Sequence, residues 1–250
     1  MRMLHFKLQS GRARFLKIHH FWFSRKPKFF DLFKFSLYFH SQSKSQLFGF
    51  RQKPKFTILV DISLPDEDIL KAASETTRYE VRRASRDNIR AEREKSLNTF
   101  CDFSNKAADA KKRGHLSLAG LLPYWPDMYV TKVMQENEVL AMHSYLIDKI
   151  IGRVALLHSV SLFRLEPDSG RRNAISRANR WLHYQDMLLF KRMGMTDYDF
   201  GGYAKNTTDP ELSSINAFKL GFGGVVVEES NYISWIIVLW NRLRGISVTI

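Results

Sequence analysis

Read in order of apolar and polar positions, the chain first becomes regular at Phe56-Thr-Ile-Leu-Val-Asp-Ile-Ser63, a β-branched and aliphatic run that predicts a buried strand. Pro65-Asp-Glu-Asp68 then has the composition of a helix start, where proline tolerates its missing N–H and acids suit the first turn. The spacing predicts a helix continuing through Arg90, with Arg78, Arg82, Arg86 and Arg90 along one face and Arg83 within reach of Asp87. A second helix is predicted over 93–113, closed by Gly114. Beyond Pro123-Tyr-Trp-Pro126 the period shortens to that of strands, over 128–135, 139–147 and 153–164. The Glu136-Asn137 turn and the Gly152 connection make these an antiparallel meander. Ala174, Ala178, Trp181, Leu182, Leu188, Leu189 and Met193 return to helical spacing, predicting a helix of about five turns that stops at Gly194. A strand over 196–200, a helix over 210–220 capped by Gly221 and a strand over 223–228 complete an α+β order.

Composition changes the reading of what precedes this pattern. With 250 residues and 44% apolar content the chain can bury its own core, and a single cysteine, Cys101, excludes an internal disulfide and a cysteine-rich metal or iron–sulfur site. That cysteine usage fits a reducing compartment. The net charge of +14 is unevenly placed: residues 1–55 hold 13 Lys/Arg against one acid, Asp31, whereas the rest is nearly neutral. The same stretch carries Phe6, Phe15, Phe21, Phe23, Phe29, Phe30, Phe33, Phe35 and Phe39. Interleaved cations and aromatics engage nucleic acid, an anionic membrane surface or phosphorylated ligands; the alternative is a set of edge strands or an incompletely ordered extension. Residues 1–55 are therefore read as a basic segment attached to a domain over 56–250. The N-terminal cations are not followed by a continuous apolar stretch, so no secretory signal is read, and the start is only faintly like an Arg-rich transit peptide. The run over 233–240 is too short to span a bilayer. The expectation is a cytoplasmic protein, peripheral at the inner face of a membrane.

Three groups of residues carry candidate chemistry. Arg171, Arg172, Ser176 and Arg177 fall at the start of the long helix, where unpaired N–H groups and the positive dipole end suit a phosphate. Gly201 and Gly202, after an apolar strand, would let backbone approach a ligand, or simply break the strand. Lys219, among Ile215, Phe218 and Phe222, can snorkel to solvent or place a cation in a cleft. His19-His20 has no further ligands at a useful spacing, so no metal is expected.

Tyr198-Asp-Phe-Gly201-Gly202, then Ile215-Asn-Ala-Phe218-Lys219-Leu-Gly-Phe222-Gly223-Gly224, with Thr77-Arg78-Tyr79-Glu80-Val81-Arg82-Arg83-Ala84 upstream, resemble the Gcn5-related N-acetyltransferase (GNAT) superfamily, particularly its FemAB-like branch. The resemblance implies a single GNAT-like acyl-CoA N-acyltransferase fold, a central mixed sheet with splayed strands flanked by helices. It implies an N-acyltransferase acting on an amine of a cell-envelope or polysaccharide precursor by direct attack in a ternary complex, without a covalent enzyme intermediate. The coenzyme A cradle of that superfamily has a basic residue followed by glycines. Here Arg171-x-x-Ala174-x-Ser176 has Ala and Ser at the glycine positions, so the donor implied is an acyl-CoA or an aminoacyl-tRNA, bound as co-substrate, with no permanently bound cofactor. Lys219 matches the lysine of the family's Phe-Lys-x-x-(Phe/Trp)-Gly motif, an active-site cation. Asp199 and His158 are the accompanying catalytic candidates, with His183 a further proton acceptor, while Cys101 is a buried small residue and no nucleophile. Arg78, Tyr79, Arg82, Gly201, Gly202 and Tyr203 are the acceptor-binding candidates, for a nucleotide sugar or lipid-linked precursor. A full FemAB transferase resembles two such domains in tandem, and this chain holds one. The alternative is a GNAT-like binding module that docks on nucleic acid or anionic membrane through its basic segment.

Overall fold

In the computed structural model the described residues are 4–10, 13–110 and 114–244. Strands β1 (Leu4–Ser10), β2 (Ala13–Trp22), β3 (Ser36–Ser41) and β4 (Phe50–Asp61) come first. Helices α1 (Asp66–Ala72) and α2 (Glu75–Ala84) follow, then β5 (Ile89–Glu94), α3 (Leu97–Asp109) and the short α4 (Leu118–Leu121). Strands β6 (Met128–Gln135), β7 (Glu138–Asp148) and β8 (Arg153–Ser161) precede α5 (Ser169–Arg192), β9 (Asp197–Gly202) and α6 (Pro210–Leu220). β10 (Val225–Ser234) and α7 (Trp235–Leu243) end the described chain.

Two compact units divide at Thr57 and Val225. In the first, β1 pairs antiparallel with β2, β2 parallel with β3, and β3 antiparallel with β10, so the Phe-rich basic stretch forms a sheet with the C-terminal strand. Its core is aromatic: Phe21, Tyr38, Phe50 and Tyr232 are buried together. Residues 226–244 thus group with the described part of the basic stretch, whereas the sequence pattern alone assigns everything after residue 55 to one domain.

In the second unit β6, β7 and β8 form the expected antiparallel meander, β5 adds to it as an unexpected fourth strand beside β6, and β8 pairs parallel with β9, giving a mixed sheet. α5 packs on β6, β7 and β8, and α3 on β5, β7 and β8. Side-chain alternation divides the two cores. Met142 joins Leu97, Phe100 and Cys101 of α3, while Ala141 joins Ile175, Ala178 and Leu182 of α5.

The helix expected through Arg90 is broken twice. Ser74 caps a new helix by accepting the Thr77 N–H at 3.2 Å, and Asn88, at φ 50°, turns the chain into β5. Ile-Arg-Ala-Glu-Arg-Glu alternates as a strand and pairs with β6, so Arg90 leaves the arginine stripe. Asp87 meets Arg177 rather than Arg83, at 3.0 Å. The second predicted helix starts later, at Leu97, where the Ser96 hydroxyl accepts the Thr99 N–H, and residues 111–113 of its expected end lie outside the described residues.

Candidate active site

β8 and β9 pair only over Arg153↔Asp197, Val154↔Tyr198 and Ala155↔Asp199, although β8 runs on to Ser161 and β9 to Gly202. The strands part where β8 also carries a bulge: Ser144 of β7 faces His158, the next residue faces Leu156, and Leu157 is extra. Gly201 makes the divergence possible. It adopts φ +69°, and a Cβ there would lie 3.2 Å from the Leu156 carbonyl oxygen. The opening holds a cavity of about 470 Å³ between the ends of β8 and β9, α5 and α6.

Leu156, Leu157, Phe200 and Phe218 make its apolar wall, and Ser159, Ser176, Asn179, His183, Gly201, Gly202 and Lys219 bring polar groups to it. Lys219 Nζ donates to the Gly202 carbonyl at 2.6 Å.

Behind the cavity lies a chain of buried polar side chains. The Asp186 carboxylate accepts from Tyr145 Oη at 2.5 Å, His143 Nδ1 at 2.8 Å and Thr131 Oγ1 at 3.0 Å. Tyr145 Oη meets Tyr198 Oη at 2.7 Å, and Tyr198 Oη meets His183 Nδ1 at 2.7 Å. A carboxylate only accepts, so Tyr145 spends its proton on Asp186 and Tyr198 must donate to Tyr145. Tyr198 then has only lone pairs for His183, which must carry its proton on Nδ1. The carboxylate therefore sets the histidine tautomer three residues away and leaves the Nε2 lone pair toward Ser159 Oγ, at 3.4 Å, on the cavity side. Burial holds His183 well below the usual histidine range, with the charges of His143, Lys219 and Arg180 acting the same way, so the ring is neutral. Burial, then the Asp186 charge, pushes Tyr145 and Tyr198 well up, so both phenols keep their protons.

Of the catalytic candidates, Lys219 lines the cavity and two lie elsewhere. Asp199 is fully buried, ion-paired with Arg153 Nη2 at 2.6 Å and accepting the Gly201 N–H at 2.8 Å. It shapes the turn into the glycines. His158 alternates to the α3 face, where Nδ1 meets Ser144 Oγ at 2.8 Å and the ring tilts on Phe100. Burial lowers its pKa to about 4. The unfolded chain binds that proton near pH 6.5 and the folded chain only near 4, so stability is expected to fall as pH drops through this window. The His158 contribution lost by about pH 5 is roughly 2 kcal/mol, measurable from urea midpoints, and its absence in His158→Gln checks the assignment.

The donor candidates separate as well. Ser176 lines the cavity. Asp168 caps α5 by accepting the Arg171 N–H at 2.7 Å, and the arginine side chains are engaged. Arg171 bonds Gln135 at 2.6 Å and pairs with Glu138, Arg172 donates to the Pro167 carbonyl at 2.8 Å, and Arg177 pairs with Asp87. Arg78 donates to the Lys71 and Ala73 carbonyls. Arg78, Tyr79 and Arg82, with Glu75, Arg83 and Arg86, line a separate pocket of about 520 Å³ along α2 and the turn after it. Tyr203 packs at the edge of the main core. Among the described residues no cluster of three His, Cys, Asp or Glu could hold a metal.

The buried chain escaped the sequence reading, although a signal for it exists. Asn179, His183 and Asp186 are spaced to share one face of α5 with Ile175 and Leu182, and His143 and Tyr145 share one face of β7. Polar residues recurring on otherwise buried faces mark such a network.

No family model and no curated protein matches the sequence. Among solved structures the chain is similar to FemX, with TM-score 0.66 and 13% identity over 96% of this chain and 90% of that one. It is also similar to the C-terminal domain of a putative lysylphosphatidylglycerol synthetase from Agrobacterium fabrum, with TM-score 0.56 and 12% identity over 93% and 83% of the two chains. L-PGS from Bacillus licheniformis gives TM-score 0.54 and 12% identity over 98% and 90%. Identities this low speak for the fold alone, and that fold is FemX-like, as the resemblance of the motifs around Gly201 and Lys219 to the FemAB-like branch leads one to expect.

Proposed function

We propose that the protein is an N-acyltransferase that moves an acyl or aminoacyl group from an acyl-CoA or aminoacyl-tRNA to an amine of a cell-envelope or polysaccharide precursor. The observation carrying this reading is the cavity at the parting of β8 and β9, with a lysine on its wall and the Nε2 face of a neutral histidine beside it. The fold shared with FemX and with a putative lysylphosphatidylglycerol synthetase, whose named product carries an aminoacyl group, supports the same class of transfer.

In this reading the acceptor amine attacks the donor carbonyl directly. The C–N bond forms as the C–S bond of a thioester or the C–O bond of an aminoacyl ester breaks. The amine proton passes to His183 Nε2, directly or through Ser159 Oγ. The Lys219 ammonium faces the negative charge that develops on the carbonyl oxygen or leaving group. Arg78, Tyr79 and Arg82, with Arg83 and Arg86 beside them, form an anion-binding surface for a phosphate-bearing substrate. The donor-site arginines Arg171, Arg172 and Arg177 would have to exchange their present partners for phosphate, so Ser176 is the donor-site candidate most directly at the cavity.

Thermal shift against acetyl-CoA, longer acyl-CoAs, nucleotide sugars and aminoacyl-tRNA tests the reading. A ligand at about a hundredfold its Kd is expected to raise Tm by roughly 5–10 °C. Lys219→Ala should reduce transfer to an amine acceptor by about a hundredfold while leaving Tm without ligand within about 2 °C, because its bond to the Gly202 carbonyl is exposed and an exposed carbonyl left behind is met by water. No shift with any donor, together with salt-sensitive polynucleotide binding, would establish the binding-module alternative instead.

A further inference from the structure

Within the first unit, a single helical turn at Phe29–Phe33 exposes Phe29, Phe30 and Phe33 by 60%, 76% and 65%. α7, packed beside this turn, presents Trp235, Leu239 and Leu243 to solvent, the spacing of one helix face. The two are fastened together. Ser234 Oγ donates to the Lys34 carbonyl at 2.7 Å, the Ser36 N–H donates to Ser234 Oγ at 3.2 Å, and Phe35 meets Trp240 edge-on. Six large apolar side chains on linked elements form an exposed patch, which marks an interaction site. Exposed Arg25, Lys26 and Lys28 lead directly into the aromatic turn, Lys28 capping it. The single acid before residue 56, Asp31, is buried and turned inward, its carboxylate accepting from Lys34 at 2.7 Å and from Tyr38 Oη at 2.5 Å.

The geometry points to this patch as a membrane-docking surface that inserts its aromatic turn and the outer face of α7 among the lipids of an anionic bilayer. Charge selects that occupant. A second copy would bring two cationic rims together without acids between them, whereas an anionic headgroup layer complements the rim. Nucleic acid would match the cations but leave Leu239 and Leu243 without partners, since aliphatic chains do not stack on bases as aromatics do. An apolar face flanked by Lys and Arg is the arrangement that seats a peripheral protein in the headgroup boundary, and no helix among the described residues is long and apolar enough to cross it. The inference stands apart from the transfer reading, because it rests on no residue of the cavity.

Co-sedimentation with phosphatidylglycerol-containing vesicles, against pure phosphatidylcholine vesicles, tests it. The native chain should bind the anionic vesicles preferentially and lose binding as salt rises. Phe29→Ser/Phe30→Ser/Phe33→Ser should lower the partition coefficient about thirtyfold. Arg25→Glu/Lys26→Glu/Lys28→Glu should lower it by a similar factor on anionic vesicles alone. Brominated acyl chains should quench tryptophan emission in the native chain and quench it less in Trp235→Phe, a readout that decides the matter even if the triple variants unfold. The proposal is overturned if the native chain stays in the supernatant, or if bromolipid quenching is the same in Trp235→Phe. It is equally overturned if the serine variant only converts a dimer into a monomer, or if polynucleotide is bound and vesicles are not. Transfer measured on a soluble acceptor should be unchanged in the serine variant, so failure of either reading is visible by itself.

Discussion

Asp186→Ala is expected to destabilise the protein by about 3–5 kcal/mol, the cost of removing one partner from a buried charged cluster. The carboxylate is 1% exposed and accepts from Thr131, His143 and Tyr145, three donors that come from β6 and β7 while Asp186 belongs to α5. Alanine leaves those donors desolvated without an acceptor, each at a cost of about 1–3 kcal/mol before relaxation or an entering water recovers part of it. Asp186→Asn keeps the shape and one acceptor oxygen but turns an N–H toward the donors, so a smaller loss of about 2 kcal/mol is expected. Urea denaturation at constant m measures both. If alanine costs less than about 1 kcal/mol, α5 is held on the sheet by Ile175, Ala178, Leu182 and Phe190 alone, and the cluster owes its place to the cavity rather than to stability.

The elements of the fold differ in how much of them the sequence discloses. The meander, α5 and the β9–α6–β10 order were legible because hydrophobic period and glycine stops agreed there, as at Gly194 and Gly221. The break at Ser74 and the strand at Ile89 were not. Arg78, Arg82 and Arg86 continue in helical register with Arg90, and only the Asn88 turn and the pairing of β5 with β6 override that spacing. At the site, Lys219 and the glycines came to the cavity because motif and element boundary coincide. His158 and Asp199 were placed by residue type, and side-chain direction on a strand is decided by register. One step along β8, the bulge at Leu157 sets Ser159 toward the cavity and His158 toward α3. The α5 arginines show a related limit: local charge at a helix start is visible in sequence, but the distant carboxylates of Glu138 and Asp87 that neutralise it are not.

His183→Gln is expected to reduce the rate of acyl transfer by roughly a thousandfold with little change in substrate affinity, as loss of a positioned general base does. The expectation follows from the tautomer. Asp186, Tyr145 and Tyr198 hold the His183 proton on Nδ1, so Nε2 can accept the proton the amine loses, and Nδ1–H can pass its own to Tyr198 as Tyr145 yields one to Asp186. Glutamine retains polarity but cannot carry a proton across itself in this way. Tyr198→Phe, which leaves His183 in place and removes the link behind it, should cost about tenfold, and the Nδ1–H tautomer should weaken in the imidazole nitrogen resonances of that variant, a change that mere loss of packing would not produce. The pH profile gives an independent reading. Because burial holds His183 well below the usual histidine range, kcat/KM should stay level as pH falls through the ordinary histidine pKa of about 6.5 and decline only at more acid pH. Lys219 and Arg180 add positive charge near the ring, so Lys219→Met should let the acid limb move toward higher pH even as it lowers the rate. A His183→Gln enzyme within about twofold of the native rate, or an acid limb that Lys219→Met leaves unmoved, would remove His183 from the proton path and leave the amine to lose its proton to solvent or to the leaving group.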